Sequence, residues 1–114
     1  MRLTEDTKGL IGEREFSLMK KTAILINTAR AGIVDKEALI DALKKGKIAG
    51  AGLDVFHEEP IDPNDPILKL DNVVLTPHSA GQTREALEKG LSMLVENVKN
   101  YLLGKPTNLV NKPV

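Results

Sequence analysis

A chain of 114 residues fits one small domain and is short for a two-domain enzyme. Apolar residues at 41% and charged residues at 28% exclude a disordered composition, and 16 basic against 16 acidic side chains remove the usual electrostatic argument for nucleic acid or an anionic membrane as partner. There is no cysteine, which excludes disulfides, thiol catalysis and thiolate metal sites. No apolar run approaches the roughly 20 residues of a bilayer span. Met1–Gly12 is polar and charged, unlike a secretory leader, so the expected location is the cytoplasm.

In chain order, Met1–Gly12 reads as a loop with one helical turn at most. Glu13–Lys20 sets Phe16 and Met19 three apart among charges, which predicts a short amphipathic helix. Thr22–Thr28 is an apolar run too short for a helix and suited to a strand buried on both faces. Asp35 is a good N-cap for a helix over Lys36–Gly46, with Leu39 and Leu43 on one face, lysines near the end and Gly46 as the stop. Ile48–Phe56 is a second strand, in which Gly50 and Gly52 mark close approach of a neighbouring backbone.

Pro60, Pro63 and Pro66 make the next segment a loop with one turn around Ile67–Leu70. Asn72–Thr76 is a third strand, ended by Pro77. Leu87, Leu91, Leu94, Val98 and Leu102 trace one stripe along a long helix over Thr83–Leu103, which Gly104 and Pro106 terminate before a polar tail. Alternating helices and strands predict an α/β fold with parallel strands. Right-handed crossovers then carry Arg30, Asp54–Glu59 and His78, each just past an apolar strand, to one edge of the sheet.

The residues at that edge each allow two readings. Arg30 is either a surface arginine or a fork for a carboxylate or phosphate. His78 is either a structural residue at a strand end or a proton shuttle oriented by a carboxylate such as Glu59. Asp54 either accepts a ligand amide or caps its own turn. Ser79-Ala80-Gly81 supplies small residues through which backbone amides can approach a ligand. His57, among acids in a polar loop, reads as a solvated side chain. No ligand spacing supports a metal site, and no nucleophile elbow frames Ser79 as a hydrolase serine.

Three motifs occur in order: Asn27-Thr28-Ala29-Arg30-Ala31-Gly32-Ile33-Val34-Asp35, then Gly50–Phe56 with Glu58-Glu59-Pro60, then Asn72–His78. Together with Thr4–Gly12 they resemble the D-isomer-specific 2-hydroxyacid dehydrogenases over nearly the whole chain. Among members, the phosphoglycerate, glycerate and glyoxylate/hydroxypyruvate enzymes look most similar. The resemblance implies the C-terminal half of a Rossmann-type doubly wound parallel sheet, with residues 1–114 as a partial NAD(P)-binding domain that includes a returning helix over 83–103.

It also implies roles. Arg30 would bind the substrate carboxylate and carbonyl, His78 would be the acid/base, and Glu59 its partner. Asp54 would hold the nicotinamide carboxamide. Thr28, Ala29, Arg30, His78, Ser79, Ala80 and Gly81 would line the nicotinamide side of an NAD or NADP site, and the substrate would be a small 2-hydroxy or 2-oxo acid. Ala31 stands where many members carry a second glycine. No GxGxxG occurs in the sequence, so the phosphate-binding turn is absent from these residues.

Two further expectations follow. The chain is expected to be a fragment or truncated form of such an enzyme, and the edge of its first strand to drive self-association or pairing with another chain. The alternative is a non-catalytic dehydrogenase-like protein used for dimerisation or partner binding.

Overall fold

In the computed structural model, which describes residues 1–110, one compact unit covers Met1–Ala80 and a second begins at Gly81. The end of the predicted polar tail, at 111–114, lies outside the described residues. The first unit contains α1 (Glu13–Leu18), β1 (Ile24–Asn27), a 3₁₀ turn over Ala31–Ile33, α2 (Lys36–Lys44), β2 (Gly50–Leu53), a 3₁₀ turn over Pro66–Lys69 and β3 (Val73–Leu75).

The three strands form a parallel sheet in the order β1-β2-β3. Ile24–Asn27 pair with Gly50–Leu53, and Ala51–Leu53 with Val73–Leu75. The predicted second strand was longer, Ile48–Phe56. Pairing stops at Leu53, opposite Asn27 and Leu75, the last residues of β1 and β3. Gly50 is required by backbone rather than by a turn: a Cβ there would lie 2.8 Å from the Asn72 carbonyl oxygen. At Gly52 the close neighbour is the Ile26 side-chain tip instead, also at 2.8 Å from a built Cβ. Gly50→Ala should therefore cost about 1–3 kcal/mol in the denaturant unfolding of the gene product that carries this chain. An unchanged midpoint would mean the β2–β3 register is wrong.

One face of the sheet is covered. Phe16 of α1 and Leu39, Ala42 and Leu43 of α2 pack with Ile48, Ala51, Leu53 and Ile67 into the core. The α2 punctuation follows the sequence. Asp35 Oδ1 accepts the Ala38 amide at 2.8 Å, and Gly46, at φ +62°, takes the left-handed conformation that ends the helix. At the start of α1, the Glu15 carboxylate accepts the Gly12 amide at 3.0 Å. The N-terminal loop is tied to the segment after β1, with Ile11 bridging Val34 and Gly9 N–H donating to the Gly32 carbonyl at 2.8 Å.

The other face does not match the expectation for β1. Ile24 and Ile26 are 65% and 66% exposed, and Val74, in register with Gly52 and Ile26, is 69% exposed. The apolar run is therefore buried on one side only, because nothing in this unit covers the side that Ile24, Ile26 and Val74 share.

The second unit holds α3 (Arg84–Leu102), capped by Thr83 Oγ1 accepting the Ala86 amide at 3.1 Å. Its predicted apolar stripe is exposed along its whole length. After the helix, Asn108 donates to Asn97 Oδ1 at 2.8 Å, folding the start of the tail back along α3. Among the described residues no helix is long and apolar enough to cross a membrane.

Candidate active site

The polar edge of the sheet is built by the three loops that leave β1, β2 and β3. Each begins where an apolar strand ends, so the residues at the exit are held by strand pairing while their side chains lie beyond the core.

After β1, Asn27 turns its side chain inward and is 7% exposed. Thr28 and Arg30 are exposed and Ala29 is half-buried. The Arg30 guanidinium donates to the Ala29 carbonyl through Nη1 at 2.6 Å, which leaves the rest of its fork for an anion.

After β2, Asp54 is 3% exposed, and its carboxylate is held by the loop that leaves β3. Oδ1 accepts from the Thr76 hydroxyl and from the Ser79 amide at 2.8 Å, and Oδ2 accepts from the Ala80 amide at 2.8 Å. The Thr76 hydrogen bond, supported by the Ala80 and Ser79 amides and the nearby His78 charge, outweighs burial and lowers the Asp54 pKa. Asp54 therefore caps the β3 exit as an ionised acceptor. A carboxylate has about four acceptor positions, so three protein donors leave one on Oδ2. Gly81 begins the second unit, and among the described residues beyond its chain neighbours no heavy atom lies within 4 Å of where its Cβ would be.

Glu59 and His78 meet. His78 Nδ1 and Glu59 Oε2 are 2.8 Å apart, while Glu59 Oε1 accepts the Phe56 amide at 3.0 Å. An ionised carboxylate can only accept, so Nδ1 carries the proton and Nε2 is the nitrogen left for proton exchange. The His78 hydrogen bond, then the Phe56 amide, lowers the Glu59 pKa, and the His78 and Arg30 charges add to the effect. Arg30 thus lies within electrostatic reach of the pair. His78 itself has φ 52°, a left-handed conformation that is uncommon outside glycine and more frequent for Asn, Asp and His. Both members are accessible, with side chains 46% and 40% exposed. Against them lies an open concavity of about 370 Å³ with a largely apolar wall that includes Phe56, Ile61, Leu68 and Leu75.

Because the Glu59 pKa is lowered on folding, the contribution of the pair is fully present above the ordinary carboxylate range. It is lost as the pH falls through the lower folded value. His78→Ala, which leaves no side-chain donor at this position, should move the Glu59 carboxyl titration, followed by carbon NMR, upward toward the ordinary range. A midpoint that stays put would mean that His78 is not its main partner.

His57, expected to be solvated, is exposed but not free: Nε2 lies 3.2 Å from the Val34 carbonyl oxygen. Close by, Lys36 Nζ and Asp65 Oδ2 form a 2.6 Å ion pair that braces the proline-rich loop against α2. Burial pushes the Asp65 carboxyl up, but Lys36 and the Ile67 amide reverse this and leave its pKa lowered. Among the described residues no cluster of three or more His, Cys, Asp or Glu side chains could hold a metal ion.

Sequence reasoning did not single out Asn27, Thr76 or the Phe56 amide. The only available signal for Asn27 was a polar amide ending an apolar strand, and for Thr76 a hydroxyl just before Pro77-His78.

Comparison with known proteins gives a consistent result. Residues 1–80 match the family model for the D-isomer specific 2-hydroxyacid dehydrogenase, NAD binding domain. The chain is 53% identical over 113 residues to a glyoxylate reductase of Korarchaeum cryptofilum, covering 98% of this chain and 34% of that protein. Two solved structures are similar. One is an acyclic imino acid reductase in complex with NADPH and D-Arg, at TM-score 0.89 and 42% identity, over 97% of this chain and 35% of that one. The other is the NAD-complexed D-isomer specific 2-hydroxyacid dehydrogenase of Lactobacillus delbrueckii ssp. bulgaricus, at TM-score 0.83 and 37% identity, over 97% of this chain and 38% of that one. The chain thus spans about a third of the length of these relatives. With a Rossmann-type α/β fold of parallel strands and a family match over most of its length, the chain belongs to the D-isomer specific 2-hydroxyacid dehydrogenases, in their NAD binding domain.

Proposed function

We propose that this chain forms the nicotinamide-facing part of an NAD(P)-dependent D-2-hydroxyacid dehydrogenase that interconverts a small 2-oxo acid and its 2-hydroxy acid. The observation that carries the reading is the 2.8 Å Glu59–His78 pair at the sheet edge that also presents Arg30. A module used only for association has no need of an acid/base pair at the same sheet edge as an exposed arginine, and this favours catalysis over the non-catalytic alternative. The glyoxylate reductase relative points to small 2-oxo acids as the substrate class.

The residues fit the nicotinamide end of the cofactor. Asp54 is ionised, acceptor-only and left with one unused position on Oδ2, which suits the N–H of a primary amide. The Ser79 and Ala80 amides sit on the same carboxylate, and Thr28 and Ala29 supply small or polar groups at the β1 exit. A nicotinamide held there would supply or accept the hydride at C2 of the substrate. Arg30 binds the substrate carboxylate with its planar fork, and its charge draws electron density toward the 2-oxo oxygen. His78 Nε2 gives that oxygen its proton in reduction and takes it back in oxidation. Glu59 holds Nδ1–H and so keeps Nε2 as the exchanging nitrogen. In this reading α3 is the returning helix of the same partial domain.

The gene product that carries this chain should reduce glyoxylate, hydroxypyruvate or 3-phosphohydroxypyruvate with NADH or NADPH. No oxidation of either cofactor with any of the three would end the proposal. The unpaired edge of β1 and the exposed Ile24, Ile26 and Val74 also give a separate expectation for residues 1–114 expressed alone. They should self-associate and bind NAD weakly. A monodisperse monomer in light scattering, or submicromolar NAD binding by calorimetry, would overturn it.

A further inference from the structure

We infer that Asn27 is a positioning residue, one that sets the backbone from which Arg30 reaches the substrate and registers it against the Asp54 loop. The inference rests on the proposed dehydrogenase reading and adds a residue to it.

Asn27 is the last residue of β1 and is buried, at 7% exposure, so its amide needs partners inside the protein. It finds both in the loop that follows. Oδ1 accepts the Ala29 amide at 3.1 Å, and Nδ2 donates to the Arg30 carbonyl at 3.1 Å. Only one orientation of the side chain serves both, since Ala29 offers a donor and Arg30 an acceptor. Its main chain acts as well: the Asn27 carbonyl accepts the Asp54 amide at 3.0 Å, the last hydrogen bond between the β1 and β2 exits. A single residue thus fixes Thr28–Arg30 through its side chain and Asp54 through its backbone.

The chemistry needs an amide. A carboxylate in its place keeps the acceptor for Ala29 but sets a second oxygen against the Arg30 carbonyl. An alanine leaves the Ala29 amide and the Arg30 carbonyl without this partner. Either change frees the loop, and because the Arg30 guanidinium is itself bonded to the Ala29 carbonyl, its starting position moves with the loop.

The test is a double-mutant cycle in the full gene product. Asn27→Asp should raise KM for glyoxylate by about tenfold or more, with faster amide exchange at Ala29. In an Arg30→Ala background the same change should raise KM by less than about twofold, because its effect runs through Arg30. Where Asn27→Asp does not fold, Asn27→Ser carries the same comparison. A merely structural Asn27 gives an equal effect in both backgrounds, and that result overturns the inference. So does an active wild type whose KM is unmoved by either variant. A wild type inactive on every 2-oxo acid overturns the inference together with the reading on which it rests, so the two failures are distinguishable.

Discussion

His78→Gln should lower kcat/KM for 2-oxo acid reduction by about 10²- to 10⁴-fold, the range over which a positioned acid/base acts. Glutamine can still donate to Glu59, so the carboxylate keeps a partner and the fold should survive. What is lost is a group that can give up a proton at Nε2 and take it back, which an amide cannot do. The loss should therefore fall on kcat. Glu59→Gln should have a smaller effect in the same direction, since Nε2 remains but Nδ1 no longer faces a carboxylate. Steady-state kinetics across pH check both. A His78→Gln enzyme with wild-type kcat would remove His78 from the chemistry.

Arg30→Ala should raise KM for the 2-oxo acid by roughly 10²- to 10³-fold, as expected when two charge-assisted hydrogen bonds to a carboxylate are lost. Arg30→Lys separates charge from shape. A lysine restores the positive charge but not the planar fork, so it should recover only part of the loss. Full recovery would mean that Arg30 acts as a charge alone. Stability should change little in either variant, because the Arg30 side chain is exposed and, among the described residues, bonds only to its neighbour's carbonyl.

Much of the fold was legible because local chemistry and hydrophobic period agree in this chain. Asp35, Leu39, Leu43 and Gly46 delimit α2 nearly to the residue, and the stripe from Leu87 to Leu102 marks α3. The parallel order followed from alternation of helices and strands. Strand ends were less legible, since they depend on where a partner stops: β2 is shorter than its apolar run because β1 pairs only with Gly50–Leu53 and β3 only with Ala51–Leu53. The exposed face of β1 was legible only in part. Its pattern reads as a strand buried on both faces, whereas the resemblance implied an open edge and uncovered apolar surface there, and Ile24 and Ile26 are exposed.

At the site, the expected Glu59–His78 contact is present in the structure, between residues marked out by their type and position. The groups that hold them were not so marked. The Phe56 amide behind Glu59, the Thr76 hydroxyl on Asp54 and the two-way amide of Asn27 are main-chain or neutral partners. Nothing in their residue types sets them apart from other loop residues. Arg30 folding back on the Ala29 carbonyl is likewise a matter of local geometry.

The central claim is that this sheet edge is where a nicotinamide and a 2-oxo acid exchange a hydride beside His78. The most direct measurement uses NADH or NADPH carrying deuterium at the transferring position, with glyoxylate and the full gene product. Glycolate with one deuterium on C2, formed at a rate that collapses in His78→Gln, is the predicted result. Glycolate without deuterium on C2, or label transfer that persists at the wild-type rate in His78→Gln, would contradict it.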